Sequence, residues 1–107
     1  MTKYLFLYRG PATPPEQMTP EATAEIMAAW NRWVEKTGPA LVDVGAPTGA
    51  RIAVADDGTN PPTTDQNGYS VVEAADLDAA RELTRDHPFL TEGKGRFAVE
   101  IFELIPM

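Results

Sequence analysis

The sequence predicts an α+β fold in which a β-α-β unit occurs twice, on either side of an inserted hairpin. Two observations carry this prediction. Apolar strand-like segments lie near both ends of the chain, and each of two helix starts follows a capping residue. With 107 residues the chain is long enough for one core and too short for two, so residues 1–107 are expected to form a single domain.

The first strand is predicted in KYLFLYR, where Tyr4, Phe6 and Tyr8 alternate with Leu5 and Leu7. Both faces of this strand are apolar, which favours a central position in a sheet that is covered twice. The Pro-rich loop RGPATPPEQM follows the strand and leads to the first helix.

The first helix is predicted to begin at Pro20, after the N-cap Thr19, and to end at Gly38. Its apolar residues recur at helical spacing and are expected to form one stripe on the core: Ile26, Met27, Trp30, Trp33 and Val34.

The second strand is predicted in LVDVG, with Val42 and Val44 under the helices and Leu41 and Asp43 on the opposite face. RIAVA is then expected to be a short strand that DDG closes into a hairpin, and TNPPTTDQNG an exposed arm.

The second β-α-β unit begins with the strand YSVVEA and a helix capped by Asp76, which carries Leu77, Ala80 and Leu83 on its inner face. Pro88 is expected to stop this helix, because the residue before a proline is driven out of the helical region. RFAVEIFELI then forms the last strand, again apolar on both faces.

This order is typical of a ferredoxin-like sandwich with both helices on one face of a four-stranded antiparallel sheet. The other face would expose apolar residues of the first and last strands. A large apolar patch is rare on a monomer, so a homodimer joined through sheet faces is predicted.

The composition excludes several classes of function. The chain has no cysteine and one histidine, so no cofactor and no metal site are expected. A formal charge of −7 repels phosphate backbones and anionic lipids, which argues against nucleic acid and membrane partners. The apolar run in MTKYLFLYRG is too short for a signal peptide, and a cytoplasmic protein is expected.

Several segments together resemble the YCII-related family, which includes the DGPF-domain proteins and belongs to the dimeric α+β barrel superfamily. The segments are KYLFLYRG, GYSVVEAADLDAARELTRDHPFL and VEIFEL. The resemblance implies a homodimer whose paired sheets enclose a cleft for a small-molecule ligand, with a histidine and an aspartate doing acid/base work in some members. The chain departs from the family pattern in three places: Trp30 stands where one branch has a histidine, TNPPTTDQNG replaces the DGPF motif, and Phe102 replaces an arginine.

Asp43 and Glu100 are the candidate catalytic carboxylates, because each interrupts an otherwise apolar strand. Two carboxylates in one partly apolar cleft can separate their pKa values and divide acid and base roles. The alternative is that each forms a salt bridge at the dimer interface, with Arg9, Arg51 or Arg96, or reaches solvent at a strand end.

His87 is the third catalytic candidate, since the ordinary pKa of imidazole lies near neutrality. The simpler interpretation of His87, which we favour, is a residue that caps or packs a helix end. Tyr8 and Tyr69 are candidate ligand-binding residues, although tyrosines on strands also serve simply to pack.

Two functions follow from these candidates. One is a small cofactor-independent enzyme (a lyase, isomerase or hydrolase) that acts on a small organic substrate in a cleft at the dimer. The other is a non-enzymatic metabolite-binding or accessory dimer. A concave pocket in which Asp43 and a second titratable group approach each other would favour the enzyme.

Overall fold

The computed structural model describes residues 1–12 and 15–107, so Thr13 and Pro14 of the predicted Pro-rich loop lie outside the described residues. Four antiparallel strands form one sheet in the order β2-β3-β1-β4. The elements are β1 (Thr2–Arg9), α1 (Pro20–Thr37), β2 (Leu41–Asp43), β3 (Gln66–Ala74), α2 (Leu77–Glu82) and β4 (Ala98–Glu103). Short 3-10 turns lie at Pro15–Gln17, Gly38–Ala40 and Pro88–Leu90. The predicted ferredoxin-like α+β fold is confirmed.

Both helices lie on one face of the sheet. Alternate residues of β1 and β3 point to this face and are buried, among them Phe6 and Val72, while Trp33 of α1 and Ala80 of α2 pack into the same cluster. The residues that alternate with these on β1, Leu5 and Leu7, are half-buried and point the other way. Among residues 1–12 and 15–107 no helix covers this second side of the sheet, which we call the open face. It carries Leu5, Leu7, Tyr69, Val71, Glu100 and Phe102.

The caps of both helices are as predicted. The Thr19 side chain accepts a hydrogen bond from Ala22 N, and Asp76 accepts one from Ala79 N. The predicted stripe on α1 is only partly correct, because Ile26 and Met27 are 43% and 56% exposed. The N-terminal half of α1 extends past the sheet, whereas Trp33 packs on the sheet.

The predicted faces of β2 are wrong. Val42 and Val44 are about half exposed, and Leu41 is the residue that packs against the core. The pairing explains the reversal: Leu41 pairs with Val72 and Asp43 with Val71, so the register shifts within this three-residue strand. A bulge of this kind breaks the simple alternation on which the prediction depended.

Between β2 and β3 the predicted RIAVA hairpin is also wrong. The structure describes every residue from 44 to 65, and none lies in a strand. Only the turn of the hairpin is present, with Ala55 N bonded to Thr59 O at 2.8 Å and Gly58 N to Ala55 O at 2.9 Å. The segment is exposed, as expected for a region rich in proline and glycine.

The second helix ends earlier than predicted, at Glu82 rather than before Pro88. From Leu83 the chain tightens into successive turns in which each N–H bonds to the carbonyl three residues back. Two side chains of α1 cap the freed carbonyls: Trp33 Nε1 donates to Leu83 O at 2.8 Å, and Lys36 Nζ to Arg85 O at 3.1 Å. In the described residues, no helix is long and apolar enough to cross a membrane.

Candidate functional site

Three residues that are far apart in the sequence meet beneath α1 on the helix-covered face of the sheet. Tyr8 Oη lies 2.6 Å from Ser70 Oγ, and His87 Nε2 lies 3.2 Å from the same tyrosine oxygen. Ser70 Oγ continues the chain to Val44 O at 2.7 Å. We call this chain of His87, Tyr8, Ser70 and the Val44 carbonyl the hydrogen-bond relay. The three side chains are at most 4% exposed.

The direction of every bond in the relay follows from its two ends. A carbonyl only accepts, so Ser70 donates to Val44 O, and the serine oxygen accepts from the Tyr8 hydroxyl. At the other end, His87 Nδ1 accepts from Phe89 N at 3.0 Å and therefore carries no proton. The proton of the neutral imidazole lies on Nε2, which donates to Tyr8 Oη. All three side chains thus have partners.

Strand register places the two hydroxyls. Tyr8 and Phe6 point to the helix-covered face of β1, and Ser70 pairs with Phe6 across β3. Tyr8 itself pairs with Gly68, whose missing side chain allows the chain at Ala46 and Pro47 to approach: a Cβ atom there would lie 3.0 Å from Ala46 O. The loop that carries Val44 is therefore held close to Ser70.

The turns after α2 place the imidazole. Asp86 adopts φ 59°, which reverses the chain direction and turns the next residue inward. His87 then precedes the 3-10 turn Pro88–Leu90 and caps it, because Nδ1 receives the Phe89 N–H. His87 is 1% exposed and is therefore a packing residue as favoured, but it caps the 3-10 turn that follows it and not the end of the second helix.

Aromatic rings surround the imidazole. The ring centroids of Trp33, Trp30 and Tyr8 lie 4.4, 4.9 and 5.0 Å from that of His87. Burial in this apolar shell lowers the pKa of His87 to about 4 and raises the pKa of Tyr8 to about 12, with the bond to Ser70 opposing the latter. Near neutral pH the relay therefore consists of neutral groups, in which the Nδ1 lone pair is the basic atom.

The other predicted site residues lie on the open face or at its edge. Asp43 is exposed, and its Oδ1 accepts a hydrogen bond from Gly45 N at 2.9 Å, which closes a tight turn at the end of β2. Glu100 is half-buried and receives a weak bond from Gln66 Nε2 at 3.4 Å, while Gln66 Oε1 is buried with no partner in the described part of the chain. Tyr69 is half-buried on the same face.

Asp43 and Glu100 do not approach each other within one copy of the chain. They lie on β2 and β4, which are the two edges of the four-stranded sheet. Three spacings of about 4.8 Å separate these strands, about 14 Å in all. The structure thus brings together Tyr8 and His87, and leaves Asp43, Glu100 and Tyr69 on the opposite side of the sheet from them.

Within one copy, Asp43 and Glu100 form no salt bridge among residues 1–12 and 15–107, and the interface salt bridges considered as an alternative would need a second copy. Arg96 pairs instead with Glu92 at 2.8 Å, and Arg51 bonds to the carbonyls of Gly49 and Thr64. No three acidic or histidine side chains in this described part of the chain could hold a metal ion together.

Ser70 is the site residue that the sequence pattern did not reveal. It is the only serine in the chain, and no catalytic motif surrounds it. The alternation of the strand could have identified Ser70, because Gly68, Ser70 and Val72 share the face of the strand that points to the core. A lone hydroxyl at a core position needs a partner, and the partner here is Tyr8.

Comparisons with known proteins agree with this architecture. A search of curated proteins gave no significant match. Among solved structures, the chain is similar to 5-chloro-2-hydroxyhydroquinone dehydrochlorinase from Burkholderia phenoliruptrix AC1100, determined in complex with 2,5-dihydroxybenzoquinone. The TM-score is 0.59 at 19% identity, over 98% of this chain and 95% of the other, which shows a shared fold. The profile of the YCII-related domain matches residues 3–105. The chain therefore belongs to the YCII-related domain family.

Proposed function

We propose that this protein is a small cofactor-independent enzyme, of lyase, isomerase or hydrolase type, which moves a proton on a small organic substrate by means of His87 and Tyr8. The observation that carries the proposal is the convergence of an imidazole, a phenol and a hydroxyl in one relay inside an apolar shell. The bond from Nε2–H to Tyr8 Oη fixes the orientation of a neutral imidazole, which has the chemistry of a general base at Nδ1.

The surroundings of the relay support a planar substrate that carries hydroxyl groups. Trp30 and Phe89 pack against Tyr8 at ring-centroid distances of 5.3 Å each, so a substrate ring that reached Tyr8 would meet an aromatic wall. The dehydrochlorinase that shares this fold was solved in complex with a hydroxylated quinone, which makes such compounds the first probes to use.

A second copy of the chain covers the open face in this proposal. Supporting it, Leu5, Leu7 and Val71 are only half-buried there and Phe102 is 47% exposed. The radius of gyration is 15.3 Å, against about 13 Å for a compact chain of this length.

The catalytic roles of Asp43 and Glu100 and the ligand contact of Tyr69 stay predictions. They require the second copy to bring these residues around one cleft, because in one copy the two carboxylates lie at opposite edges of the sheet. The cytoplasmic location also stays a prediction.

The second candidate function is ligand binding without catalysis. One observation favours it: the relay is closed and each of its side chains has a hydrogen-bond partner, as in a purely structural polar network. In that case the open face would hold the ligand.

The test combines binding and turnover. 2,5-Dihydroxybenzoquinone and chlorinated hydroxyhydroquinones are screened by thermal shift, and compounds that raise the midpoint are then assayed for conversion. We expect His87→Gln and Tyr8→Phe to lower kcat at least about 100-fold, the usual scale of a general acid or base. Leu77→Ala, at a position that is 55% exposed on α2 and away from both the relay and the open face, should leave kcat within a factor of about three. Normal turnover in His87→Gln together with its loss in Tyr69→Phe would move the site to the open face.

A further inference from the structure

The relay is sealed from solvent. His87 is 1% exposed and Ser70 is fully buried, so a substrate reaches them only if one wall of the relay moves. The walls are the sheet, the C-terminal half of α1, and the segment that begins with the 3-10 turn Pro88–Leu90. The sheet and α1 have continuous backbone hydrogen bonding. The third wall is different.

Phe89 connects this third wall to the relay in two ways. Its backbone N–H donates to His87 Nδ1 at 3.0 Å. Its ring lies 5.3 Å from the ring of Tyr8 on one side and 5.2 Å from the ring of Phe97 on the other. Movement of Phe89 would therefore uncover Tyr8 and release the imidazole nitrogen in a single step.

The chain beyond Phe89 lacks the backbone hydrogen bonds of the other two walls and is tied mainly by the side-chain pair of Arg96 and Glu92 at 2.8 Å. Residues 91–97, all described, contain no strand or helix, and Gly93 and Gly95 adopt φ of 72° and 79°. Glycine visits this conformation at no steric cost, so the two residues are natural hinges. Leu90, Phe97 and residues 92–95 line a surface cavity of about 240 Å³, and Phe97 is also the residue whose ring contacts that of Phe89. There is thus space into which the aromatic pair can shift.

We propose that Phe89 is a gating and positioning residue for His87. With the segment 88–97 closed, the Phe89 N–H occupies Nδ1 and the imidazole acts only as a donor. When the segment swings outward, the substrate gains access and Nδ1 becomes free to accept a proton from it. This inference rests on the proposed proton-transfer function.

The transfer of a proton from the substrate to Nδ1 balances without another reactant. The substrate C–H or O–H bond breaks, its electron pair stays on the substrate, and the proton bonds to the Nδ1 lone pair. Nε2–H continues to donate to Tyr8 Oη, which stabilises the imidazolium. The residues that face His87 from the other elements are Tyr8 of β1 and Trp30 and Trp33 of α1, and none of them carries a charge near neutral pH. Return of the proton to the product restores the closed state.

The test needs no substrate. In hydrogen exchange of the wild-type protein, the Phe89 amide should exchange through local opening, at least about tenfold faster than the amides of Phe6 and Val72 in the sheet. Gly95→Ala should change this rate, because alanine disfavours positive φ. Gly49→Ala is the matched control, since a Cβ atom there meets nothing within 4 Å and its φ is not positive. Exchange of the Phe89 amide only through global unfolding, at the rate of Phe6, would overturn the proposal.

A second readout is the pKa of His87, measured by NMR titration. His87 is the one histidine of the sequence, so its imidazole signals need no further assignment. In Phe89→Ala the wall is lost, so the pKa of His87 should rise from its depressed value toward that of free imidazole. Phe89→Leu, which keeps an apolar wall, should leave it depressed. An unchanged pKa in Phe89→Ala would also overturn the proposal. Loss of turnover in His87→Gln is measured separately, so a failure of the proposed gate can be distinguished from a failure of the proposed catalytic function.

Discussion

At the scale of single residues, His87 and Ser70 show that the role of a buried polar side chain depends on its hydrogen-bond partners. The sequence predicts His87 at the end of the second helix, whereas the structure ends that helix at Glu82 and makes His87 the N-cap of the next 3-10 turn, where it accepts the Phe89 N–H. Its link to Tyr8 was not predictable, because it joins positions 79 residues apart. Asp43 interrupts an apolar strand, which predicts a carboxylate in a cleft, but its carboxylate bonds to Gly45 N in an exposed turn.

Tyr8→Phe tests how much the hydrogen bonds of the relay contribute to the free energy of unfolding. It removes the acceptor of His87 Nε2–H and the donor to Ser70, and leaves a buried donor unpaired. We expect the free energy of unfolding to fall by about 1–3 kcal/mol. Chemical denaturation measures the change. Tyr69→Phe, a matched loss of a hydroxyl on the open face, should cost less than about 0.5 kcal/mol. Equal effects of the two variants would mean that the relay adds nothing to stability.

The pH dependence of stability tests the neutral state of His87. Its folded pKa, about 4, lies below the ordinary value of 6.5, so between these values the unfolded chain binds a proton that the folded protein does not. Stability from this group is therefore fully present above pH 6.5 and is lost as the pH falls toward 4, by on the order of 3 kcal/mol. The measurement is the difference in unfolding free energy between wild type and His87→Gln at several pH values. A difference that stays constant from pH 7 to 4 would contradict the buried neutral imidazole.

At the scale of elements, hydrophobic alternation and helix caps could be predicted from the sequence, whereas the pairing of distant segments could not. β1 and the capped start of α1 follow from alternation and from Thr19, and both are confirmed. The prediction for β2 failed because a register shift between Leu41 and Asp43 reverses the expected faces. RIAVA has the composition of a strand, but no neighbouring strand pairs with it in the described residues. The second helix is shorter than predicted, because Pro88 sets only the last position at which this helix could end, and the helix ends before it, at Glu82.

Gly45→Ala tests the turn that holds the Val44 end of the relay. Gly45 has φ 77°, and a Cβ atom there would lie 1.7 Å from Tyr69 O. The backbone must shift, so we expect a loss of more than about 2 kcal/mol in unfolding free energy. Gly49→Ala in the same loop should be nearly neutral, since its position is open. Thermal unfolding of the two variants compares them directly, and similar midpoints would show that the turn is not fixed as described.

At the scale of the whole molecule, the open face sets the expected assembly. Both faces of β1 are apolar, which was evident from the sequence and is the basis of the predicted homodimer. In the proposed dimer, a second copy would bury Leu5, Leu7 and Phe102 together.

Phe102→Glu tests this assembly. A charge on the open face should weaken the dimer at least about tenfold in dissociation constant, as measured by sedimentation equilibrium. Leu77→Glu is the control, because Leu77 is 55% exposed on α2, away from the open face. A wild-type protein that is monomeric at micromolar concentration would remove the basis of the proposed dimer.

The most direct test of the central claim, that the relay is the chemical site, is an NMR titration of the wild-type protein with 2,5-dihydroxybenzoquinone. The single imidazole reports on the relay without assignment ambiguity. We expect the His87 signals and the Phe89 amide to shift and to saturate together. Saturable shifts confined to Tyr69, Glu100 and their neighbours on the open face, with His87 unchanged, would contradict the account.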